Sequence, residues 1–228
     1  MENEIYPLLS PMEVRVLGSL LEKAATTPDA YPLTLNNLQS ACNQKSNRAP
    51  IVDYDEDIIV EAIDDLRKKK FVFRVDVAGS RSAKYRHNFD ELLGLHKAGK
   101  ALMTVLLLRG PQTLGELRTR CERMHSFEST ESIEKELGEM ADEIDRPLWI
   151  KLPRASGQKE ERYQHLLSGE PTLSQLAINT PDTSNEPAMI KLAARDERVQ
   201  NLETKVATLN NELDELKRAF DEFRTQFL

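Results

Sequence analysis

Two stretches of this chain carry the same punctuation. Pro32, Thr34, Leu35, Leu38 and Cys42 recur in order and spacing as Pro111, Thr113, Leu114, Leu117 and Cys121, 79 residues further on. The extended run Phe71 to Val75 returns as Leu148 to Leu152 at an offset of 77, and Lys84-Tyr85-Arg86-His87 returns as Arg162-Tyr163-Gln164-His165 at an offset of 78. An offset that stays this constant across the whole stretch means that the chain holds two copies of one module. Whatever either copy folds into, the other must fold into as well.

The first copy opens on Ser10-Pro11-Met12-Glu13, which combines an N-cap, a proline at the first helical position and a capping-box glutamate. Val14, Leu17, Leu20 and Leu21 follow at helical spacing. An extended piece from Tyr31 to Leu33 leads to Thr34, a second N-cap, and a short helix carrying Leu35, Leu38 and Cys42. After a polar loop, a third helix starts near Asp55, buries Ile58, Ile59, Ala62, Ile63 and Leu66, and runs out in Arg67 to Lys70, as suits a helix C-terminus. Two β-runs, Phe71 to Val75 and Ala83 to His87, flank the turn residues Gly79 and Ser80. The order helix, short strand, helix, helix, strand, wing, strand predicts a winged helix.

In the second copy, Gly99 to Leu108 reads as the first helix and Gly110-Pro111 as its stop. Thr113 to Glu116 is a capping box, Ser129 or Thr130 opens a helix burying Ile133, Leu137 and Met140, and the hairpin takes Leu148 to Leu152 and Arg162 to Leu166. The expected fold class is therefore α+β, mainly α: tandem winged-helix domains over residues 1–92 and 93–169, a polar linker over 170–188, and a coiled-coil helix over 189–228.

That last helix rests on a heptad. Val199, Val206, Leu213, Phe220 and Phe227 fall at a, and Leu202, Leu209, Leu216 and Phe223 at d. In a parallel pair, Arg198 at g would face Glu203 at e, and Glu212 would face Lys217. A seam this narrow needs a cover. A homodimer through Val199, Leu202, Val206, Leu209, Leu213, Leu216, Phe220 and Phe223 supplies one; folding back onto the winged modules supplies another, and the linker is long enough for it.

The stretch Leu9 to Pro50, LSPMEVRVLGSLLEKAATTPDAYPLTLNNLQSACNQKSNRAP, closely resembles the signature of the YceH-like bacterial proteins, a family of unassigned function. Runs such as TTPDAYPL and ACNQKSNR are not generic winged-helix sequence, and the resemblance continues to about Gly169, with a similar tail. It implies a tandem winged-helix fold in a bacterial cytoplasm. It brings no activity and no catalytic residues.

Catalytic motifs are missing: no G-x-S-x-G, Walker loop, G-x-G-x-x-G or H-E-x-x-H occurs. Cys121 and His125 stand at i, i+4, a spacing that suits two metal ligands, but no further Cys or His lies nearby. Cys121 also matches Cys42 in the repeat, and both read as small core residues. A non-enzymatic protein without cofactor or metal is expected. With two cysteines, no basic leader and no apolar run of about 18 residues, the expectation is a reduced cytoplasm and no membrane contact.

Winged helices bind nucleic acid, so charge decides the next step. The chain carries net −7, with 12 Lys and Arg against 15 Asp and Glu in residues 1–95, and 12 against 13 in residues 96–170. The third helix, which in helix-turn-helix readers enters the major groove, here carries Asp53, Asp55, Glu56, Asp57, Glu61, Asp64 and Asp65, and its counterpart is equally acidic. Carboxylates there would repel phosphates. Cations and polar groups gather instead in the loop after the second helix (Lys45, Ser46, Asn47, Arg48), and cations on the wings (Arg81, Lys84, Arg86, Arg154, Lys159). These nine are the candidate nucleic-acid contacts. The same wing charges suit an ordinary solvated hairpin, and Asn and Ser are ordinary turn formers. Two functions therefore fit: a dimeric DNA-binding regulator that uses wings and loop, or an adaptor whose winged helices have lost DNA and hold an unidentified protein.

Overall fold

The computed structural model describes residues 7–76, 82–143, 147–154 and 160–171. Helix α1 (Pro11–Thr26) starts on a complete capping box: Ser10 N donates to Glu13 Oε2 at 2.7 Å and Glu13 N to Ser10 Oγ at 3.3 Å. Strand β1 (Leu33–Thr34) leads into α2 (Leu35–Cys42), capped by the Thr34 hydroxyl, and α3 (Glu56–Lys68) is capped by Asp55. Strands β2 (Val72–Val75) and β3 (Lys84–His87) form the hairpin. The three strands make one antiparallel sheet in the order β1-β3-β2, with Leu33 opposite Tyr85 and Val72 opposite His87.

A short helix, α4 (Phe89–Leu93), then links the halves, where the sequence pattern predicts no element. The second half repeats the first with α5 (Lys97–Arg109), α6 (Leu114–Cys121), α7 (Thr130–Glu143), β4 (Trp149–Leu152) and β5 (Arg162–His165). Its capping box is also complete, Thr113 with Glu116. The counterpart of β1 shrinks to one bridge: Gln112 N donates to Tyr163 O at 3.0 Å and Tyr163 N to Gln112 O at 2.8 Å, as Leu33 pairs with Tyr85 in the first copy. The architecture is mixed α+β, mainly helical, with two small sheets.

The two halves share one hydrophobic core. Its centre is α1 against α5. A helix that borders solvent buries one stripe, whereas one buried all round is enclosed on several sides. Helix α1 is of the second kind: besides Val14, Leu17, Leu20 and Leu21, the residues between them are buried too, Arg15, Val16, Gly18 and Ser19 included. Its second face lies on α5, where Ala101 to Leu108 form an unbroken buried run. The contact is close at Gly18, where a Cβ would stand 2.9 Å from Leu108 Cδ2 and 3.1 Å from Leu107 Cβ. Gly110, with φ 70, ends α5 in a conformation that glycine adopts without strain.

The outer helices each bury a narrower stripe. Ile59, Ala62, Ile63 and Leu66 of α3 and Ile133 and Leu137 of α7 face the core. Trp149 of β4 closes the second half by donating its indole N–H to Leu137 O at 2.9 Å. Both cysteines are buried free thiols, as their place in the repeat suggested. Burial pushes the Cys42 thiol up to about 11 and the Cys121 thiol up to about 12, so both stay protonated and inert. Among the described residues no helix is long and apolar enough to cross a membrane.

Candidate nucleic-acid interface

The loop between α2 and α3 reads in sequence as a polar surface. Structurally it is a joint. Arg48 turns inward: its side chain has no exposure, and Nη1 and Nη2 donate to Glu22 Oε1 and Oε2 of α1 at 3.0 and 2.6 Å. Arg48 Nε and Nη2 also donate to Ala41 O, at 3.2 and 2.9 Å, near the end of α2. Arg15 reaches the same loop from α1 and donates to Cys42 O at 3.3 Å and to Pro50 O. The loop is tied to the second half as well, since Ala49 N donates to Leu108 O at 2.9 Å and Arg109 Nη2 donates to Asn47 Oδ1. Asn47 adopts φ 58, a left-handed conformation that Asn tolerates.

Arg48 is therefore a correction to the expected contact set: a guanidinium that is fully desolvated and bound to a carboxylate cannot also meet a phosphate. Asn47 is exposed but engaged by Arg109. Lys45 and Ser46 are exposed, and Ser46 accepts from Gln44 Nε2 at 3.2 Å. On the first hairpin, Lys84 and Arg86 are half-buried, and the Arg86 guanidinium lies 5.0 Å from the centroid of the Phe73 ring. Arg154, beyond β4, is exposed. Arg81 and Lys159 lie outside the described residues, as does the whole seam from Val199 to Phe227.

Several other surface cations are paired with carboxylates. Arg67 is held by Asp64, Lys68 by Asp65, Lys69 by Glu13, Arg74 by Asp76, Lys151 by Glu134 and Glu161, and Arg162 by Glu116. Among the described residues, Lys45, Lys84, Arg86 and Arg154 have no ion-pair partner. The acidic third helices face outward as expected: Asp55, Glu56, Asp57, Glu61 and Asp64 are exposed on α3, and Glu131, Glu134 and Glu139 on α7.

His87 and His165 end the two hairpins in matching places, and burial holds each near pKa 4. The His87 backbone N–H donates to Tyr31 Oη at 2.6 Å, and the two rings tilt together with centroids 5.7 Å apart. His165 Nδ1 is buried without a hydrogen-bond partner among the described residues, as suits a neutral ring. With the folded pKa below the unfolded value of about 6.5, the unfolded chain binds more protons between those values. Stability is thus complete above about pH 6.5 and falls as pH drops toward 4, by on the order of 3 kcal/mol for His165 at the acid limit. We expect urea midpoints to fall steeply from pH 7 to pH 4.5 and less steeply in His165→Gln. Parallel curves for the two proteins would show that His165 titrates normally in the folded state.

Cys121 and His125 are both taken up in packing. The thiol is buried, and the His125 ring stands edge-on to Phe127 at 4.6 Å. Among the described residues no group of three His, Cys, Asp or Glu side chains is placed to hold a metal ion.

Fold and surface together define a duplicated α+β protein that carries, among the described residues, unpaired cations on its hairpins and connecting loop. The family model described as "Protein of unknown function, DUF480" matches residues 9–158. A UPF0502 protein of Geobacter sulfurreducens is 48% identical over 220 residues, spanning 96% of this chain and 98% of its own. One from Cellvibrio japonicus is 45% identical over 217 residues (95% and 94%), and one from Dechloromonas aromatica 43% over 215 (94% and 99%). The chain belongs to this DUF480, or UPF0502, family, in keeping with the YceH-like resemblance of its N-terminal stretch.

Proposed function

We propose that this protein is a dimer of tandem winged-helix chains that binds duplex DNA through its hairpins and the exposed end of the α2–α3 loop. One observation carries the reading: among the described residues, Lys45, Lys84, Arg86 and Arg154 stand on the loop and hairpins without carboxylate partners, while Arg74, Lys151 and Arg162 of the same hairpins are paired. The order helix, strand, helix, helix, hairpin in each half, with β1 added to the hairpin sheet, supports a winged helix. The carboxylates of α3 and α7 exclude the usual major-groove approach, so the hairpins lead. Fluorescence anisotropy with a random duplex at about 50 and 200 mM salt tests this. Binding should weaken with salt, and Lys84→Gln/Arg86→Gln should lower the slope by up to about two, roughly one per lost phosphate contact. Absence of binding at low salt would sink the reading. The adaptor function would then stand, favoured by the acid exposed on α3 and α7 and by the inward turn of Arg48.

The dimer belongs to the same proposal and rests on the heptad. Burying a Leu side chain contributes about 1.5–3 kcal/mol, so a charge at a d position, Leu209→Glu, should halve the mass measured by light scattering and leave the helical content of both modules intact. A monomeric parent chain at micromolar concentration would replace the dimer with a tail folded back on its own modules.

A further inference from the structure

Beside the joint that Arg48 closes lies a cleft of about 350 Å³, walled by α1 and the α2–α3 loop on the first half and by α5 and α6 on the second. This is within the range of small-molecule sites. Its lining includes Arg109, Arg120 and Arg123 above an apolar floor of Val105, Leu108 and Met124. We infer that this cleft binds a small phosphate-bearing molecule, held by the three arginines.

The charge balance is the first argument. Two carboxylates approach the cleft, and each is held by an arginine outside it. Glu22 is bound in both oxygens by Arg48. Glu116 is shared between Arg162 at 2.8 Å and Arg120 at 3.4 Å. Among the described residues Arg109 and Arg123 have no ion-pair partner at all; Arg109 donates only to the neutral Asn47. A surplus of positive charge therefore gathers in one concavity of a chain whose net charge is −7. Burial, with the Arg120 and Arg48 guanidiniums close by, holds the Arg109 pKa below its ordinary value. The crowding has an energetic cost that a bound anion would relieve.

The ligand class follows from the donors. Guanidinium forks match phosphate oxygens two at a time and are weakly hydrated, which suits recognition in a partly desolvated cleft. Three of them, with only a shared carboxylate between them, call for at least a dianion, so a phosphate monoester or a diphosphate fits better than a single carboxylate. The apolar floor leaves room for an uncharged remainder of the molecule. A concave wall favours a small molecule over the convex backbone of a duplex. None of the three arginines belongs to the hairpins or to the exposed end of the loop, so this site is independent of the DNA reading.

Titration calorimetry on the full chain with inorganic pyrophosphate in low salt provides the test. Binding in the parent chain should weaken roughly tenfold or more in Arg123→Gln, which alters an exposed side chain and leaves the core untouched, and likewise in Arg109→Gln and Arg120→Gln. Arg118→Gln, on α6 but bound to Phe127 O and outside the cleft, should bind as the parent does. No heat with millimolar pyrophosphate, or equal binding by the parent and all three cleft variants, would overturn the inference. A short duplex that displaces pyrophosphate and loses affinity in Arg123→Gln would also overturn it, because the arginines would then serve a nucleic-acid backbone.

Discussion

Arg48→Ala should lower the unfolding free energy by about 3–5 kcal/mol, a large share of the total for a domain of ordinary stability. The size comes from what the substitution leaves behind. Glu22, nearly buried on α1, keeps its charge and loses both hydrogen bonds, while Ala41 O loses its two side-chain donors. A surface pair would be worth under about 1 kcal/mol, and by that measure the substitution would be nearly silent. The two cases separate cleanly in a denaturant melt. A companion variant tests the cause: Glu22→Gln/Arg48→Met removes both charges and keeps much of the volume, so it should be less destabilised than Arg48→Ala alone. If the double variant is the weaker of the two, the cost comes from lost packing and not from an orphaned carboxylate.

Gly18→Val should destabilise the chain by about 1–3 kcal/mol or more, because α1 and α5 meet too closely at Gly18 for a side chain. Leu108 Cδ2, at 2.9 Å from the position of a Cβ, can swing aside; Leu107 Cβ, at 3.1 Å, is fixed to its backbone. Gly18→Ala sets two effects against each other. Alanine gains about 1 kcal/mol of helix propensity, and the crowding removes a similar amount, so its net change should be small. Valine loses that propensity gain and adds two methyl groups directed at α5. Because this contact joins the two halves of the core, the loss should appear in one cooperative transition. Leu108→Ala in the Gly18→Val background should recover part of the stability, and a strictly additive double variant would place the strain elsewhere.

Legibility in the sequence followed the range of the interaction. Both capping boxes, Ser10 with Glu13 and Thr113 with Glu116, could be read because they close over three residues. The N-cap at Thr34, the helix start near Asp55 and the stop at Gly110 are equally local. Helix α4 is not legible in the sequence because five residues carry too little period. The outward acidity of α3 could be read from its pattern, since burying one apolar stripe fixes which face is left. The fate of the loop could not. Lys45 and Arg48 look alike along the chain, yet one is exposed and the other sealed, because Glu22 lies 26 residues before Arg48 and only folding brings them together. The arginine cleft was hidden for the same reason: Arg109, Arg120 and Arg123 come from α5 and the α6 region, and its other wall comes from α1 and the Asn47 loop.

By itself, then, the sequence determined the duplication, the succession of helices and hairpins within each copy, and the inert burial of Cys42 and Cys121. Periodicity, caps and a repeated cysteine are short-range signals that each copy carries independently. Only the tertiary structure decided that α1 is buried on two sides, that the halves share one core through Gly18, and that Arg48 belongs to the joint and not to a nucleic-acid surface. These outcomes depend on one copy meeting the other. The spacing of apolar residues records that a helix has a buried face, but it does not record what a second, separately folded surface will cover.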